Sequence, residues 1–163
     1  MSTITAALLR AEIDAVLADW AWYLDHGDVP ALAALFTEDA LLVSGEVAVR
    51  GRPAIQRRYA ERGAAGPTRH LYSGLRISPL GGPPRPGPGG SGDWRPALVR
   101  ARSTWISYAV SGAGPASPAG RAGVSLVADF DDELTWCDDH CWRISERRVT
   151  PVFHAPARVP VTG

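Results

Sequence analysis

The first part of the chain has the apolar spacing of an amphipathic helix. Between residues 6 and 24, apolar side chains recur at intervals of three and four, as on one buried helix face: Leu9, Ile13, Val16, Leu17, Trp20 and Leu24. Gly27 predicts the end of this helix, because glycine readily adopts the left-handed conformation that closes helices. Asp28 then predicts an N-cap for a short helix over residues 29–36, with Pro30 in its first turn.

A hairpin and a third helix follow. Residues 40–51 hold two short apolar stretches around Ser44-Gly45-Glu46, the pattern of two strands joined by a tight turn. Residues 52–63 predict a helix that begins near Pro53 and ends at Gly63.

The second half of the chain is β-like. Apolar and polar residues alternate in four stretches, at residues 68–77, 97–110, 123–136 and 141–153. Gly- and Pro-rich segments at about 79–97 and 111–123 predict long loops between them. Helices first and strands afterwards predict a single α+β domain over residues 1–163, with the helices packed on one face of a curved, mainly antiparallel sheet.

Composition and charge exclude several function classes. Basic and acidic residues number 17 each, so no net charge attracts nucleic acid or an anionic membrane. All the Lys+Arg positions are arginine, which excludes Schiff-base chemistry on a lysine. No signal peptide pattern is visible, and no apolar run approaches the ~20 residues that span a bilayer. We therefore expect a cytoplasmic protein without nucleic-acid or membrane partners.

Metal and cofactor motifs are weak. The segment WCDDHCW, residues 136–142, brings Cys, Asp and His together, but structural zinc normally needs four ligands from separated pairs. A disulfide between Cys137 and Cys141 is disfavoured in the cytoplasm. No HExxH, P-loop or GxSxG motif occurs. We expect neither a metal nor a cofactor.

Asp25 is the first candidate for chemistry. It falls at the end of the first helix, where the negative end of the helix macrodipole opposes a carboxylate. The aromatic residues Trp20, Trp22 and Tyr23 precede it. The position predicts either a functional acid among aromatic side chains or an exposed aspartate in a helix-ending turn.

His70 is the second candidate. Strand alternation places Leu71, Leu75 and Ile77 on one face of its strand and His70, Tyr72 and Arg76 on the other. If only the apolar face is buried, His70 is exposed. If both faces are covered, the polar and aromatic set lines a cavity.

The later strands add candidates for substrate binding. On one strand Trp105 alternates with Thr104 and Ile106, and the sequence leaves open which set points inward. On the last strand Arg148 has the phase of Trp142, Ile144 and Glu146. An arginine that faces a cavity binds a carboxylate or enolate oxygen, although an arginine pair on a terminal strand is also typical of a solvated or interface surface.

Four segments, in this order, resemble the SnoaL-like family of the nuclear transport factor 2-like superfamily. They are WYLDHGDVPALAALFTEDALL (22–42), VRGRPAI (49–55), TRHLYSGLRI (68–77) and CWRISERRV (141–149). The resemblance implies a cone-shaped barrel in which three N-terminal helices pack on a curved mixed, mainly antiparallel sheet around a ligand cavity, usually in a homodimer. The family includes dehydratases, ketosteroid-type isomerases, polyketide cyclases, epoxide hydrolases and non-catalytic subunits.

The resemblance also assigns roles. In dehydratase-like members an aspartate at the end of the first helix faces a histidine at the start of the first long strand, and these positions match Asp25 and His70. Such members carry a tyrosine five residues before the aspartate, where this chain has Trp20. An indole N–H donates a hydrogen bond but does not exchange a proton at neutral pH. Tyr23 and Tyr72 are possible substitutes at other positions.

Together these observations predict a cofactor-independent enzyme. It acts on a small hydrophobic, polyketide- or polycycle-like metabolite of secondary metabolism by dehydration, isomerisation or cyclisation. Asp25 and His70 are the expected acid/base pair, and the expected substrate-binding residues are Trp20, Tyr23, Tyr72, Trp105 and Arg148. The alternatives are a non-catalytic small-molecule-binding or assembly subunit and, third, cofactor-free oxygenation.

Overall fold

The computed structural model describes residues 3–62, 67–87, 89, 94–111 and 121–154. Three helices come first: α1 (Thr3–His26), α2 (Val29–Ala34) and α3 (Arg52–Arg62). The strands are β1 (Phe36–Ser44), β2 (Val47–Arg50), β3 (Thr68–Gly81), β4 (Arg85–Pro86), β5 (Trp94–Arg95), β6 (Leu98–Ser111), β7 (Arg121–Trp136) and β8 (Trp142–His154).

Six strands form one mixed sheet in the order β2-β1-β8-β7-β6-β3. Every neighbouring pair is antiparallel except β1 and β8, which run parallel with Leu42 opposite Arg147. The predicted α+β class and the mixed, mainly antiparallel sheet are confirmed.

The helices bury their apolar stripe against this sheet. Leu9, Ile13 and Leu17 of α1 are at most 2% exposed and belong to one core with sheet residues such as Val99 and Ile144. The 3.6-residue period of the sequence therefore identified the buried face of α1 correctly.

The junction between α1 and α2 follows the local sequence. Gly27 has φ +73°, a left-handed conformation that costs glycine little and ends α1. Asp28 caps α2, and its Oδ1 accepts a hydrogen bond from the backbone N–H of Ala31 at 3.1 Å. The predicted cap is confirmed.

A bulge in β3 changes which residues face the core. The pairing with β6 shifts between Ser73 and Arg76, and Gly74 lies there with φ +67°. His70 and Leu75 are both buried, whereas Leu71 is 58% exposed. The expectation that Leu71 shares a face with Leu75 and Ile77 is therefore wrong, because the extra residue reverses the alternation.

Part of the first predicted loop, at about 79–97, forms β-strands. β3 continues through Gly81, and β4 pairs with β5 in a separate two-stranded sheet. Arg95 is buried and binds Glu12 of α1, with Nη2 and Oε1 2.8 Å apart. Trp136 Nε1 donates to the carbonyl of Pro86 at 3.0 Å. These contacts fix β4 and β5 on the body of the domain, while residues 88 and 90–93 lie outside the described part of the chain.

Of the second predicted loop, at about 111–123, residues 112–120 lie outside the described part of the chain. Within the described ranges, no helix combines the length and the apolar character needed to cross a membrane.

One apolar row crosses the face of the sheet that points away from the helices. Leu71, Ile106, Val127 and Phe153 are successive cross-strand partners on β3, β6, β7 and β8. Leu71 and Phe153, at its two ends, are 58% and 57% exposed. We call these four residues the outer apolar row.

Candidate functional site

A cavity of about 280 Å³ lies between the helices and the sheet. Its walls are mostly aromatic and aliphatic, from Trp20, Leu42, Trp105, Leu126, Ala128, Phe130 and Val149. Five polar residues also line it, namely Ser44, Arg58, Tyr59, His70 and Ser107. A mainly apolar hollow with a few polar groups is the usual form of a small-molecule site.

Asp25 and His70 meet at the edge of this cavity. Asp25 Oδ1 lies 2.6 Å from His70 Nδ1, and the two side chains are only 6% and 4% exposed. Asp25 reaches the site from the last turn of α1, and His70 from the start of β3. The structure therefore brings together the two residues predicted as an acid/base pair, 45 positions apart.

The carboxylate of Asp25 accepts hydrogen bonds from three donors. Thr68 Oγ1 donates at 2.9 Å, the backbone N–H of His70 at 2.8 Å, and His70 Nδ1 at 2.6 Å. These bonds offset the unfavourable helix dipole, since hydrogen bonds to a charged group contribute about 1.5–3 kcal/mol each. An acid at the end of α1 thus attaches this helix to β3.

The same bonds define the state of His70. Because the carboxylate accepts at Nδ1, we assign a proton to Nδ1, and in the neutral imidazole this leaves Nε2 as an acceptor. Ser107 Oγ lies 3.1 Å from Nε2, and its hydroxyl donates to the neutral ring. In its neutral form His70 therefore carries its basic nitrogen on the side of Ser107, a lining residue of the cavity.

Tyr59 of α3 lies beside Trp20 in the core. Trp20 Nε1 donates to the hydroxyl of Tyr59 at 3.2 Å, and both residues are buried. Tyr59 was not among the predicted site residues. Its spacing of four from Ile55 indicated a buried helix face, but nothing in the sequence indicated a contact with Trp20, 39 residues away.

A fully buried ion pair lies against these aromatic rings. Arg147 Nε and Nη2 donate to the two oxygens of Asp132, each at 2.7 Å, and neither side chain is exposed. The guanidinium carbon lies 4.3 Å from the centre of the Trp20 ring and 5.0 Å from that of Phe130. This cation–π contact fixes the position of Trp20.

The two partners of this pair have different electrostatic tendencies. Burial raises the pKa of the Asp132 carboxyl, against the attraction of Arg147. Burial acts to lower the pKa of Arg147, but Asp132 and the Tyr59 hydroxyl outweigh it, so that pKa is raised. Two 2.7 Å bonds in a fork geometry are those of an ionised pair, and we treat both groups as charged at neutral pH.

Of the five predicted substrate-binding residues, Trp20 and Trp105 line the cavity. Tyr23 is half-buried and lines a different groove, beside Trp136 and Trp142. Tyr72 stacks on Trp105 with ring centres 4.6 Å apart, but its hydroxyl donates to Asp14 Oδ1 at 2.7 Å. Burial and this hydrogen bond raise the pKa of Tyr72 well above its usual value. Neither tyrosine is among the lining residues of the cavity.

Arg148 lies outside the cavity, contrary to expectation. Its side chain is 54% exposed and pairs with Glu146 at 2.5 Å. The pairing of β8 with β7 shifts between Ile144 and Glu146, which leaves Ser145 as an extra residue. Arg147 rather than Arg148 therefore shares the buried face with Ile144.

In the described part of the chain, no three His, Cys, Asp or Glu side chains are grouped so as to hold a metal ion. Cys137 and Cys141 are free thiols.

Comparisons with known proteins give a family and a fold. The sequence model of the SnoaL-like domain matches residues 5–148. No curated protein matches the sequence. The three solved structures described next are at most 21% identical to the chain in sequence, so they establish the fold alone.

Three of these structures illustrate the fold. A protein from Novosphingobium aromaticivorans, provisionally named a scytalone dehydratase, has a TM-score of 0.73 at 19% identity, covering 99% of this chain and 99% of that chain. ActVI-ORFA from Streptomyces coelicolor has a TM-score of 0.66 at 21% identity, covering 88% and 98%. An NTF2-like protein with a cystatin-like fold, also from N. aromaticivorans, has a TM-score of 0.66 at 20% identity, covering 90% and 87%.

Proposed function

Because the chain belongs to the SnoaL-like domain family, we propose that it is a cofactor-independent enzyme that moves protons on a small hydrophobic, polyketide-like metabolite. The reaction is a dehydration, an isomerisation or a cyclisation. The observation that carries the proposal is the chain of contacts Asp25–His70–Ser107 at the wall of an apolar cavity. The similarity in fold to the protein provisionally named a scytalone dehydratase and to ActVI-ORFA supports a polyketide-related fold.

The three reactions share a first step. His70 Nε2 removes a proton from the carbon next to a carbonyl group, and the electron pair of that C–H bond moves onto the carbonyl oxygen as an enolate. The imidazolium that forms is stabilised by Asp25, which already accepts from Nδ1. The Tyr59 hydroxyl is the proposed donor to the enolate oxygen. The apolar walls limit competing water and strengthen both interactions.

The second step separates the outcomes. In dehydration the enolate expels a β-hydroxyl, which takes the proton from His70 and leaves as water. In isomerisation the proton returns to a different carbon. In cyclisation the enolate carbon attacks a second carbonyl of the same molecule, and the new alkoxide takes the proton. Each path restores neutral His70.

Tyr59→Phe tests the assigned donor. The measurement is exchange of the acidic C1 protons of 2-tetralone, a neutral two-ring ketone, with D₂O, followed by NMR. We expect the protein-catalysed rate to fall about 10–100-fold, because a hydrogen bond to a charged oxygen contributes about 1.5–3 kcal/mol. Tyr72→Phe is the matched control, since its hydroxyl binds Asp14 outside the cavity. Equal rates for the wild type and Tyr59→Phe contradict the assignment.

The alternative function is a binding or assembly subunit of the same fold. The observation that favours it is Trp20, which replaces the tyrosine of dehydratase-like members and cannot supply a proton. Binding of 2-tetralone to the wild-type protein without any catalysed exchange supports this alternative.

We also propose that the protein is a homodimer through the outer apolar row. The row is continuous over four strands, and charges of both signs lie beside it, because Arg102, Asp131 and Arg148 are successive cross-strand partners. In a two-fold symmetric dimer the same surface of both subunits forms the interface, so the arginines of one subunit can lie opposite the aspartate of the other.

Leu71→Asp tests the dimer. A carboxylate at the end of the outer apolar row places a charge inside the proposed interface, so we expect a shift from dimer to monomer in light scattering at micromolar concentration. Leu8→Asp is the control, because Leu8 is also about half exposed, at 49%, but lies on α1. A wild-type protein that is monomeric throughout this range contradicts the proposal.

A further inference from the structure

The charged groups at the cavity are distributed unevenly. Among the lining residues that the structure describes, Arg58 is the one permanent charge, and none is acidic. Arg58 makes no hydrogen bond or ion pair with the described residues, whereas Arg52, six positions earlier on α3, binds Glu38. A guanidinium thus lies on an apolar hollow without a carboxylate partner within the described chain.

The position of Arg58 marks the entrance. Arg58 is exposed, while Trp20, His70, Trp105 and Ser107 are all buried. Ser44, at the end of β1, lines the same cavity and is partly exposed. The cavity therefore has a cationic, solvent-accessible end and a deep aromatic end that holds the imidazole.

We propose that the ligand of this cavity is a compact aromatic carboxylate of one or two fused rings, whose carboxylate binds Arg58 at the entrance. The inference rests on the proposed function, and it names the substrate class. The rings lie between the aromatic walls, and the reacting carbon points toward His70.

The cavity volume indicates the size of the ring system, and the charge of Arg58 indicates the carboxylate. A cavity of about 280 Å³ is just below the roughly 300–1,000 Å³ usual for small-molecule sites, which favours small ring systems over extended polycycles. An arginine offers a planar pair of donors that matches a carboxylate. A carboxylate at the entrance keeps part of its hydration, whereas a carboxylate deeper in the cavity would lose it at a cost in free energy. An anionic ring compound is therefore favoured with its carboxylate at Arg58 and its rings inside the cavity.

The experiment compares two ligands of equal shape. Isothermal titration calorimetry measures binding of 2-naphthoate and of neutral 2-naphthamide to the wild-type protein, to Arg58→Gln and to Arg57→Gln. We expect the wild type to bind 2-naphthoate about tenfold more tightly than the amide, as one hydrogen-bonded charge pair predicts. In Arg58→Gln the two affinities become equal within about twofold. Arg57 is the matched control, because it is an exposed arginine of the same helix outside the cavity, and its variant keeps the preference.

Two results overturn the inference. One is equal binding of the acid and the amide to the wild type, and the other is binding of neither ligand at millimolar concentration. Neither result depends on turnover, since the titration contains no reaction. Failure of the exchange assay with neutral 2-tetralone counts against the proposed function alone.

Discussion

His70→Ala is expected to slow the exchange of 2-tetralone protons by about 10²–10⁴-fold, the usual contribution of a general base. The variant removes the nitrogen that accepts the proton. It also leaves Asp25 with two donors, Thr68 Oγ1 and the backbone N–H of residue 70, in place of three. Exchange is measured by NMR, and folding by circular dichroism.

Two further variants make this result specific. His70→Gln keeps a donor for Asp25 but has no basic nitrogen, so we expect the same loss of exchange with less effect on folding. His26→Ala is the control, because His26 is an exposed histidine whose Nδ1 lies 2.7 Å from the Trp22 carbonyl. Exchange that persists in both His70 variants contradicts the role of His70 as the base.

Arg147→Met is expected to destabilise the protein by about 3–5 kcal/mol, because it leaves Asp132 buried without its partner. Both side chains of the pair are 0% exposed, so solvent does not screen the loss. Arg148→Met is the matched control one position along β8. The pair it breaks is half exposed, and such pairs contribute about 0–1 kcal/mol. Urea denaturation gives both free energies.

A variant without either charge distinguishes the contribution of the ion pair to stability from the contribution of side-chain packing. Asp132→Leu combined with Arg147→Met is expected to recover much of the lost stability, since apolar pairs often replace buried ion pairs without cost. A single Arg147→Met variant as stable as Arg148→Met contradicts the account of the pair.

The deficit of Arg147→Met is also expected to depend on pH. Burial raises the pKa of Asp132 above its ordinary value of 3.8, and in the variant no guanidinium opposes this rise. The folded state then binds a proton that the unfolded state releases, so stability falls as pH rises through the raised pKa. The difference from the wild type is therefore expected to be larger at pH 8 than at pH 4. A difference that shrinks toward pH 8 has the wrong sign.

Much of the fold follows from local patterns in the sequence. The apolar period of α1, the cap at Asp28 and the alternation of the long strands depend on neighbouring residues, so they are legible without tertiary structure. Asp25 and His70 were identifiable because both occupy positions shared with a known family, and the structure adds the three donors that hold the carboxylate.

The two errors about strand faces have one physical origin. Alternation predicts faces only while a strand keeps its register, and bulges at Gly74 and Ser145 reverse it. Gly74 carried a signal, since glycine inside a strand often marks a bulge, whereas Ser145 carried none. The first bulge places Leu71 on the outer face, and the second places Arg147 inside and Arg148 outside. Tyr59 was missed for another reason, because its contact with Trp20 depends on helix packing over 39 residues.

The parallel pairing of β1 with β8 has a consequence for synthesis on the ribosome. Leu42 has no partner on that edge until Arg147 has left the exit tunnel, since the two are hydrogen-bonded neighbours in the finished sheet. Until β8 has been made, the N-terminal helices expose Leu9, Ile13 and Leu17 without a complete sheet to cover them. The nascent chain is therefore a candidate client of chaperones until β8 emerges, and nonsense mutations before β8 release chains prone to aggregation.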